Sequence, residues 1–232
     1  MGFLSIAQGR EQMKAMILAA GRGRRLAPLT DRLPKPLIEV GGTTLIERHL
    51  SRLAAAGIRD VVINVAHQGD LIEAHLGRGH ALGVSIVYSR EPDGPLETGG
   101  GIARALPLLG SAPFLVVNGD IWTDCRLPSV LPPNAQAHLV LVPNPPHHPA
   151  GDFDIEDGRV TRAARTRYTY AGIGIYTPGP FAPPPAMRFP LAPLLFKLCD
   201  AGALSAEIHR GLWFDIGTLE RLQMARAVVA GN

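Results

Sequence analysis

Lysine is scarce in this sequence. Of 23 basic residues only three are lysines, Lys14, Lys35 and Lys197, so each marks its position and arginine supplies the rest of the positive charge. Cysteine is scarcer still: Cys125 and Cys199 match no metal or disulfide spacing, which agrees with a reducing cytoplasm. No apolar run reaches the ~18–20 residues of a membrane-spanning helix. The apolar stretch Phe3–Ala7, followed by Arg10 and Glu11, is too short for a signal-peptide core. An excess of one charge is also missing: 23 basic against 20 acidic residues leave +3, too little to argue for a nucleic-acid partner. What is present, 46% hydrophobic and 19% charged residues over 232 positions, suits a folded protein with a sizeable core.

Residues 1–12 carry little periodic pattern and read as an N-terminal extension; residues 13–232 read as one domain. Short apolar runs at Ala15–Ala19, Val61–Val65, Val84–Tyr88 and Phe114–Val117 predict buried strands. Helical spacing over Thr44–Ala56, Leu71–Leu76 and Gly101–Leu109 predicts the helices between them. Strands alternating with helices predict an α/β fold: a single doubly wound, mainly parallel, Rossmann-like sheet with helices on both faces. Such a sheet binds ligands beyond its C-terminal strand ends, which places the loops after Ala19 and Val117 in the crevice. The second half is less regular. It predicts strands at His138–Val142, Tyr168–Tyr176 and Leu212–Ile216, a hairpin at Phe153–Val160, and helices at Leu191–Ala201 and Leu219–Val229.

The segment Leu18-Ala19-Ala20-Gly21-Arg22-Gly23-Arg24-Arg25 ends a buried strand in small residues, two glycines and arginines. Glycines let backbone N–H groups approach an anion, and arginine forks match phosphate oxygens. This is the composition of a polyphosphate cradle; the bland alternative is a glycine-rich turn with solvated arginines. Two familiar cradles do not fit: Leu26 stands where the dinucleotide fingerprint needs its third glycine, and the Gly-Lys-Ser/Thr of a P-loop is absent. Lys35 lies between Pro34 and Pro36, in a stretch expected to be extended, and is a candidate for a fixed phosphate contact. With both glycines, Arg25 and the proline-flanked lysine, Leu18–Leu37 resembles the signature of the sugar-1-phosphate nucleotidyltransferases. The resemblance implies a nucleoside triphosphate and a sugar 1-phosphate as partners and a nucleotide site that includes Ala19, Ala20, Gly21, Gly23, Arg25 and Lys35.

Such a transfer between two polyanions needs a divalent cation, and Mg2+ takes one or two carboxylates together with phosphates and water. Asp120, in Asn118-Gly119-Asp120 just past a buried strand, and Asp215, inside the apolar run Leu212–Ile216, are the candidate ligands. A turn or helix-capping role is the alternative for Asp120. Both segments resemble those that carry the family's two magnesium-binding aspartates.

Pro95–Gly101, Gly151-Asp152-Phe153, Ala171-Gly172-Ile173 and Phe189–Leu195 resemble the branch of that family that uridylylates N-acetylmuramate α-1-phosphate. Mannose-1-phosphate guanylyltransferases are similar as well. In that light Thr98 and Gly99 fall near the base, or form a flexible loop and helix start. Asn118, which both donates and accepts, suits sugar hydroxyls, with Glu97 and Gly172 beside it. Asp152 either accepts from the sugar or is a hairpin turn residue, and His67 either lines the nucleotide side or makes a structural hydrogen bond. One departure stands out: Pro190 replaces the branch's lysine, so Arg188 or Arg165 would have to hold the sugar phosphate. A non-catalytic nucleotide-sugar sensor on the same fold is the rival reading, which the retained Arg25, Lys35, Asp120 and Asp215 oppose.

Overall fold

A computed structural model describes residues 13–162, 166–181 and 188–231. The chain runs through β1 (Ala15–Leu18), a small hairpin of β2 (Glu39–Val40) and β3 (Thr43–Thr44), α1 (Leu45–Ala55), β4 (Asp60–Val65), α2 (Gly69–Leu76), β5 (Ser85–Arg90), α3 (Glu97–Leu109) and β6 (Phe114–Asn118). It continues through β7 (Ile121–Thr123), β8 (Ala137–Pro143), a hairpin of β9 (Asp154–Glu156) and β10 (Arg159–Thr161), and β11 (Tyr168–Tyr176). It closes with α4 (Ala192–Asp200), β12 (Leu204–Ile208), β13 (Trp213–Asp215) and α5 (Leu219–Ala230).

Seven strands form one sheet in the order β12-β8-β11-β6-β1-β4-β5. All are parallel except β11, which runs antiparallel to both β6 and β8. The apolar strand runs are buried because helices cover both faces. Ile46, Leu50 and Leu53 of α1 and Ile72 and Leu76 of α2 pack on Ile17, Ile63 and Val117. Ile102 of α3 and Leu195 and Leu198 of α4 pack on Met16, Val62 and Phe114. Helix α1 starts where the spacing predicts it, fixed by a reciprocal cap: Thr44 Oγ1 accepts from the Glu47 N–H and Glu47 Oε2 from the Thr44 N–H, each at 3.2 Å.

Several expectations change in detail. Helix α3 begins at Glu97, four residues before the apolar spacing begins at Gly101, because Gly99, Gly100 and Gly101 are buried helical positions rather than a loop. The predicted strand Leu212–Ile216 shrinks to β13, which pairs with β7 outside the main sheet. The edge strand β12 is half-exposed and mixed in polarity, so no apolar run announces it. Lys35 is not extended. Lys35–Leu37 form a turn of 3-10 helix closed by the bonds Leu37 N–H to Pro34 C=O at 2.9 Å and Ile38 N–H to Lys35 C=O at 3.1 Å. Pro36 fits that turn because its missing N–H would have had no partner there.

A third small core holds the arginine-rich loop. Leu26, at the position of the missing fingerprint glycine, is fully buried with Ile38, Trp122, Ile216 and, from α5, Leu222 and Ala225. The loop is therefore anchored through its own side chain to the C-terminal helix.

His49 of α1 is 2% exposed. Burial, reinforced by the neighbouring Arg52 charge, pushes its pKa down to about 3, against the opposing effect of a hydrogen bond to the Ile121 backbone. The unfolded chain takes up this proton as pH falls below about 6.5 while the folded chain does not, so this share of stability is complete above that pH and is lost towards about 3. Urea titrations should show it as a loss of about 2 kcal/mol between pH 6.5 and 5, at about 1.4 kcal/mol per unit. His49→Leu should flatten that part of the profile; an unchanged slope would show that His49 does not carry it.

Candidate active site

The parallel strands β1, β4, β5 and β6 end at one edge, and the loops there enclose a cleft of about 340 Å3. Ala19, Ala20, Gly21, Gly23, Arg24 and Arg25 form one wall, Glu97 and Thr98 another, and Lys35, Asn118 and Asp120 line it as well. Gly23 has a left-handed backbone, φ 63°, and Thr30 closes over it by donating from Oγ1 to its carbonyl at 3.0 Å. Gly21 is different. A Cβ there would meet nothing within 4 Å, so packing does not demand glycine, and the space beside the backbone stays open.

Two acid–cation pairs stand at the mouth of the β6 loop. Lys35 Nζ donates to Asp120 Oδ2 at 2.5 Å, with the lysine buried and the aspartate side chain 38% exposed. Arg221, in the first turn of α5, donates from Nη1 to Asp215 Oδ2 at 2.6 Å, and His147 Nε2 lies 3.6 Å from the same oxygen. Burial and then the Arg221 charge lower the pKa of His147, which Asp215 partly offsets. Strand β13 lies against β7, and the Ile216 N–H donates to the Asp120 carbonyl at 2.9 Å, so the acids sit on adjoining segments. Asp120 and Asp215 line one polar depression with Arg25, Asn118 and His147.

A buried polar bracket ties the end of β4 to the loops after β1 and β5 behind the cleft. The Ala19 N–H donates to Asn64 Oδ1 at 2.8 Å, Asn64 Nδ2 donates to Glu91 Oε1 at 2.8 Å, and the Leu96 N–H donates to Glu91 Oε2 at 2.7 Å. Asn64 and Glu91 are each 3% exposed. Gly101 makes room for them: a Cβ there would lie 2.8 Å from Asn64 Nδ2 and 2.9 Å from Glu91 Oε1.

On the other side, β11 bulges between Tyr170 and Gly174 as it passes Asn118. Gly172 is left-handed there, φ 79°, and a Cβ would lie 2.6 Å from Asn118 Nδ2. Asn118 Oδ1 is buried and, among the described residues, has no hydrogen-bond partner. Asp152 is fixed through both oxygens, Oδ2 by the Tyr170 N–H at 2.8 Å and Oδ1 by His148 Nε2 at 3.0 Å. Gly172→Ala should cost about 1–2 kcal/mol in urea unfolding from backbone strain alone and lower turnover by displacing Asn118. Wild-type values of both would show that the bulge tolerates a side chain.

Comparison with known proteins fits this geometry. Residues 14–153 match the family model described as nucleotidyl transferase. The chain belongs to the nucleotidyl transferase family. It is 50% identical over 226 residues to an N-acetylmuramate alpha-1-phosphate uridylyltransferase of Neisseria meningitidis serogroup B, covering 93% of this chain and 98% of that one. A protein of the same description from Caulobacter vibrioides is 37% identical over 93% of this chain and 96% of its own. The structure of the inositol-1-phosphate CTP transferase from T. maritima shares the fold, with a TM-score of 0.76 at 20% identity over 94% of this chain and 96% of that one.

In this nucleotidyl transferase the fold brings Ala19, Ala20, Gly21, Gly23, Arg25, Lys35, Glu97, Thr98, Asn118 and Asp120 to one cleft. Asp152 borders an adjoining cavity that shares Thr98 and Asn118, and Asp215 the polar depression that shares Arg25 and Asp120. Three residues stand elsewhere. His67 is exposed in the turn before α2, outside the cleft lining. Gly99 is buried beneath Phe189, whose ring a Cβ would overlap, and Gly172 backs Asn118. Arg188 Nε donates to Glu97 Oε1 at 3.0 Å, and Arg165 lies outside the described residues.

Sequence reasoning missed Asn64, Glu91, His147 and Arg221. Asn64 had a readable signal, a lone amide inside a run of branched apolar residues. The partnership of Arg221 with Asp215 had none, because it depends on how α5 turns back over β13.

Proposed function

We propose that this protein transfers the uridylyl group of UTP to N-acetylmuramate α-1-phosphate. A phosphate oxygen of the sugar phosphate forms a new bond to the α-phosphorus, the bond to the β-phosphate breaks, and pyrophosphate leaves. The observation that supports this most directly is the meeting of Arg25, Lys35 and Asp120 at a glycine-walled cleft, in a chain half identical to an N-acetylmuramate alpha-1-phosphate uridylyltransferase.

The attacking oxygen is already anionic, so no general base is required. The work lies in bringing two polyanions together and holding them in line. Gly21 and Gly23 offer backbone donors, Arg25 faces the departing pyrophosphate, and Lys35 the α-phosphate. Lys35 is held for that task by Asp120 and by the turn between two prolines. The donor set suits Mg2+: Asp120 and Asp215 each give only Oδ2 to a cation, leaving Oδ1 as a hard oxygen ligand. Among the described residues no group of three or more His, Cys, Asp or Glu could hold a metal, so phosphate and water oxygens would complete the shell. Bound there, the ion would neutralise charge as it develops on the phosphates.

Pyrophosphate release from UTP, CTP, GTP and dTTP, each with several sugar 1-phosphates, tests the reading. UTP with N-acetylmuramate α-1-phosphate should be the best pair, EDTA should abolish the reaction and Mg2+ should restore it. Release confined to GTP with mannose 1-phosphate would overturn it. Among the described residues no helix is long and apolar enough to cross a membrane.

A further inference from the structure

Arg221 stands where a cation is disfavoured. Helix α5 begins behind the cap Thr218, whose Oγ1 accepts from the Arg221 N–H at 3.3 Å. The side chain therefore leaves the first turn, where the helix dipole presents partial positive charge and favours acids. It is nonetheless drawn inward, 14% exposed, with Nη1 on Asp215 Oδ2 at 2.6 Å and Nε donating to Thr218 Oγ1 at 3.4 Å. Gly217 makes the room: a Cβ there would overlap Nη2 and Cζ of the guanidinium. The next residue, Leu222, packs with Leu26 of the arginine-rich loop, so Arg221 sits on the element that anchors that loop.

The polar depression that this pair lines measures about 310 Å3 and also holds Arg25, Asp120 and His147. Asp120 is paired in the same way, with Lys35. Two carboxylates thus face three cationic side chains, Arg25, Lys35 and Arg221. No surplus negative charge is left to draw a hydrated divalent cation out of water. A Mg2+ site built on one or two carboxylates is completed by substrate phosphates, and a triphosphate supplies the missing charge. The two paired cations differ in placement. Lys35 lines the cleft and faces an incoming phosphate, whereas Arg221 lines the depression and not the cleft.

We propose that Arg221 is a positioning residue that keeps Asp215 neutralised, so that the site takes up a divalent cation together with nucleotide phosphates and hardly at all without them. The guanidinium fixes Oδ2 and leaves Oδ1 for the ion, while its charge weakens the hold on a bare ion. Coupling between two ligands is reciprocal: the nucleotide tightens the ion by the same factor by which the ion tightens the nucleotide. The inference rests on the cation site of the proposed function and adds the residue that makes this site depend on the nucleotide.

The experiment titrates the full chain with Mn2+, read by water proton relaxation at constant pH, first without nucleotide and then with UTP. The wild type is compared with Arg221→Gln, Arg221→Met and Arg221→Lys, and urea melts establish that each variant is folded. Without nucleotide, the two neutral variants should bind Mn2+ about tenfold tighter than the wild type, as expected when a unit charge leaves the neighbourhood of an ion. Arg221→Lys should stay near the wild type, and UTP should tighten Mn2+ binding less in Arg221→Gln than in the wild type. Adding Asp215→Asn to Arg221→Gln should abolish the gain. Folded neutral variants that bind the bare ion no more tightly than the wild type overturn the proposal, as does a gain that survives Asp215→Asn. A wild type that holds Mn2+ as tightly without UTP as with it overturns the proposal whatever the variants do. These results leave the reaction standing. Absence of pyrophosphate release from every triphosphate, with the Arg221 effect intact, overturns the proposed function alone.

Discussion

Asp120→Asn should lower turnover by about 10²–10³, the usual effect of removing one preorganised electrostatic contact at a reacting phosphate. The substitution keeps shape and removes charge. Lys35 then loses its anionic partner at 2.5 Å in a site where it is 8% exposed as a residue. The site also loses one of the two carboxylates, Asp120 and Asp215, proposed above to hold a divalent ion. Continuous pyrophosphate assay at saturating UTP and sugar phosphate measures the loss, and titration with Mg2+ should show a raised half-saturation concentration. Turnover within threefold of wild type, with unchanged magnesium dependence, would remove Asp120 from the chemistry.

Glu91→Leu should have the largest effect on stability. It orphans two donors, the buried Asn64 Nδ2 and the partly buried Leu96 N–H, which Glu91 now satisfies at 2.8 and 2.7 Å. Unsatisfied buried groups cost about 1–3 kcal/mol each, so a loss of about 2–6 kcal/mol in urea unfolding is expected. Because the same bracket holds the Ala19 N–H through Asn64, the KM for the triphosphate should rise more than that for the sugar phosphate. Glu91→Gln should lie between, since its amide nitrogen would face a donor. A variant as stable as the wild type would show the bracket to be dispensable.

The first half of the chain was legible because local pattern and tertiary role agree there. Val61–Val65 is an apolar run broken only by Asn64 and is buried on both faces of a parallel sheet, and the spacing of Leu45, Ile46, Leu50 and Leu53 is the face that α1 buries. The loops at the strand ends followed from that topology, and with them the placement of Gly21, Lys35 and Asp120. The second half resisted because its strands are short or mixed in polarity: β13 has three half-buried residues, and β12 alternates around an edge. The first turn of α3 was hidden because Gly99 and Gly100 add nothing to an apolar spacing, and Phe189, Asn64 and Glu91 lie too close for side chains at Gly99 and Gly101. Long-range partnerships such as Lys35 with Asp120, 85 residues apart, or Asn64 with Glu91, 27 apart, leave no periodic trace.

The reversed strand in the middle of the sheet has a consequence for synthesis on the ribosome. Strand β6 pairs β1 on one side, and its other side waits for Ile173–Tyr176, which emerge nearly sixty residues after Val117. Until then Phe114–Val117 presents unpaired backbone along an apolar strand, the kind of edge that nascent chains join by mistake. Completion of the sheet is therefore a late event, and truncations before Tyr168 should be recovered as aggregates rather than as smaller folded pieces.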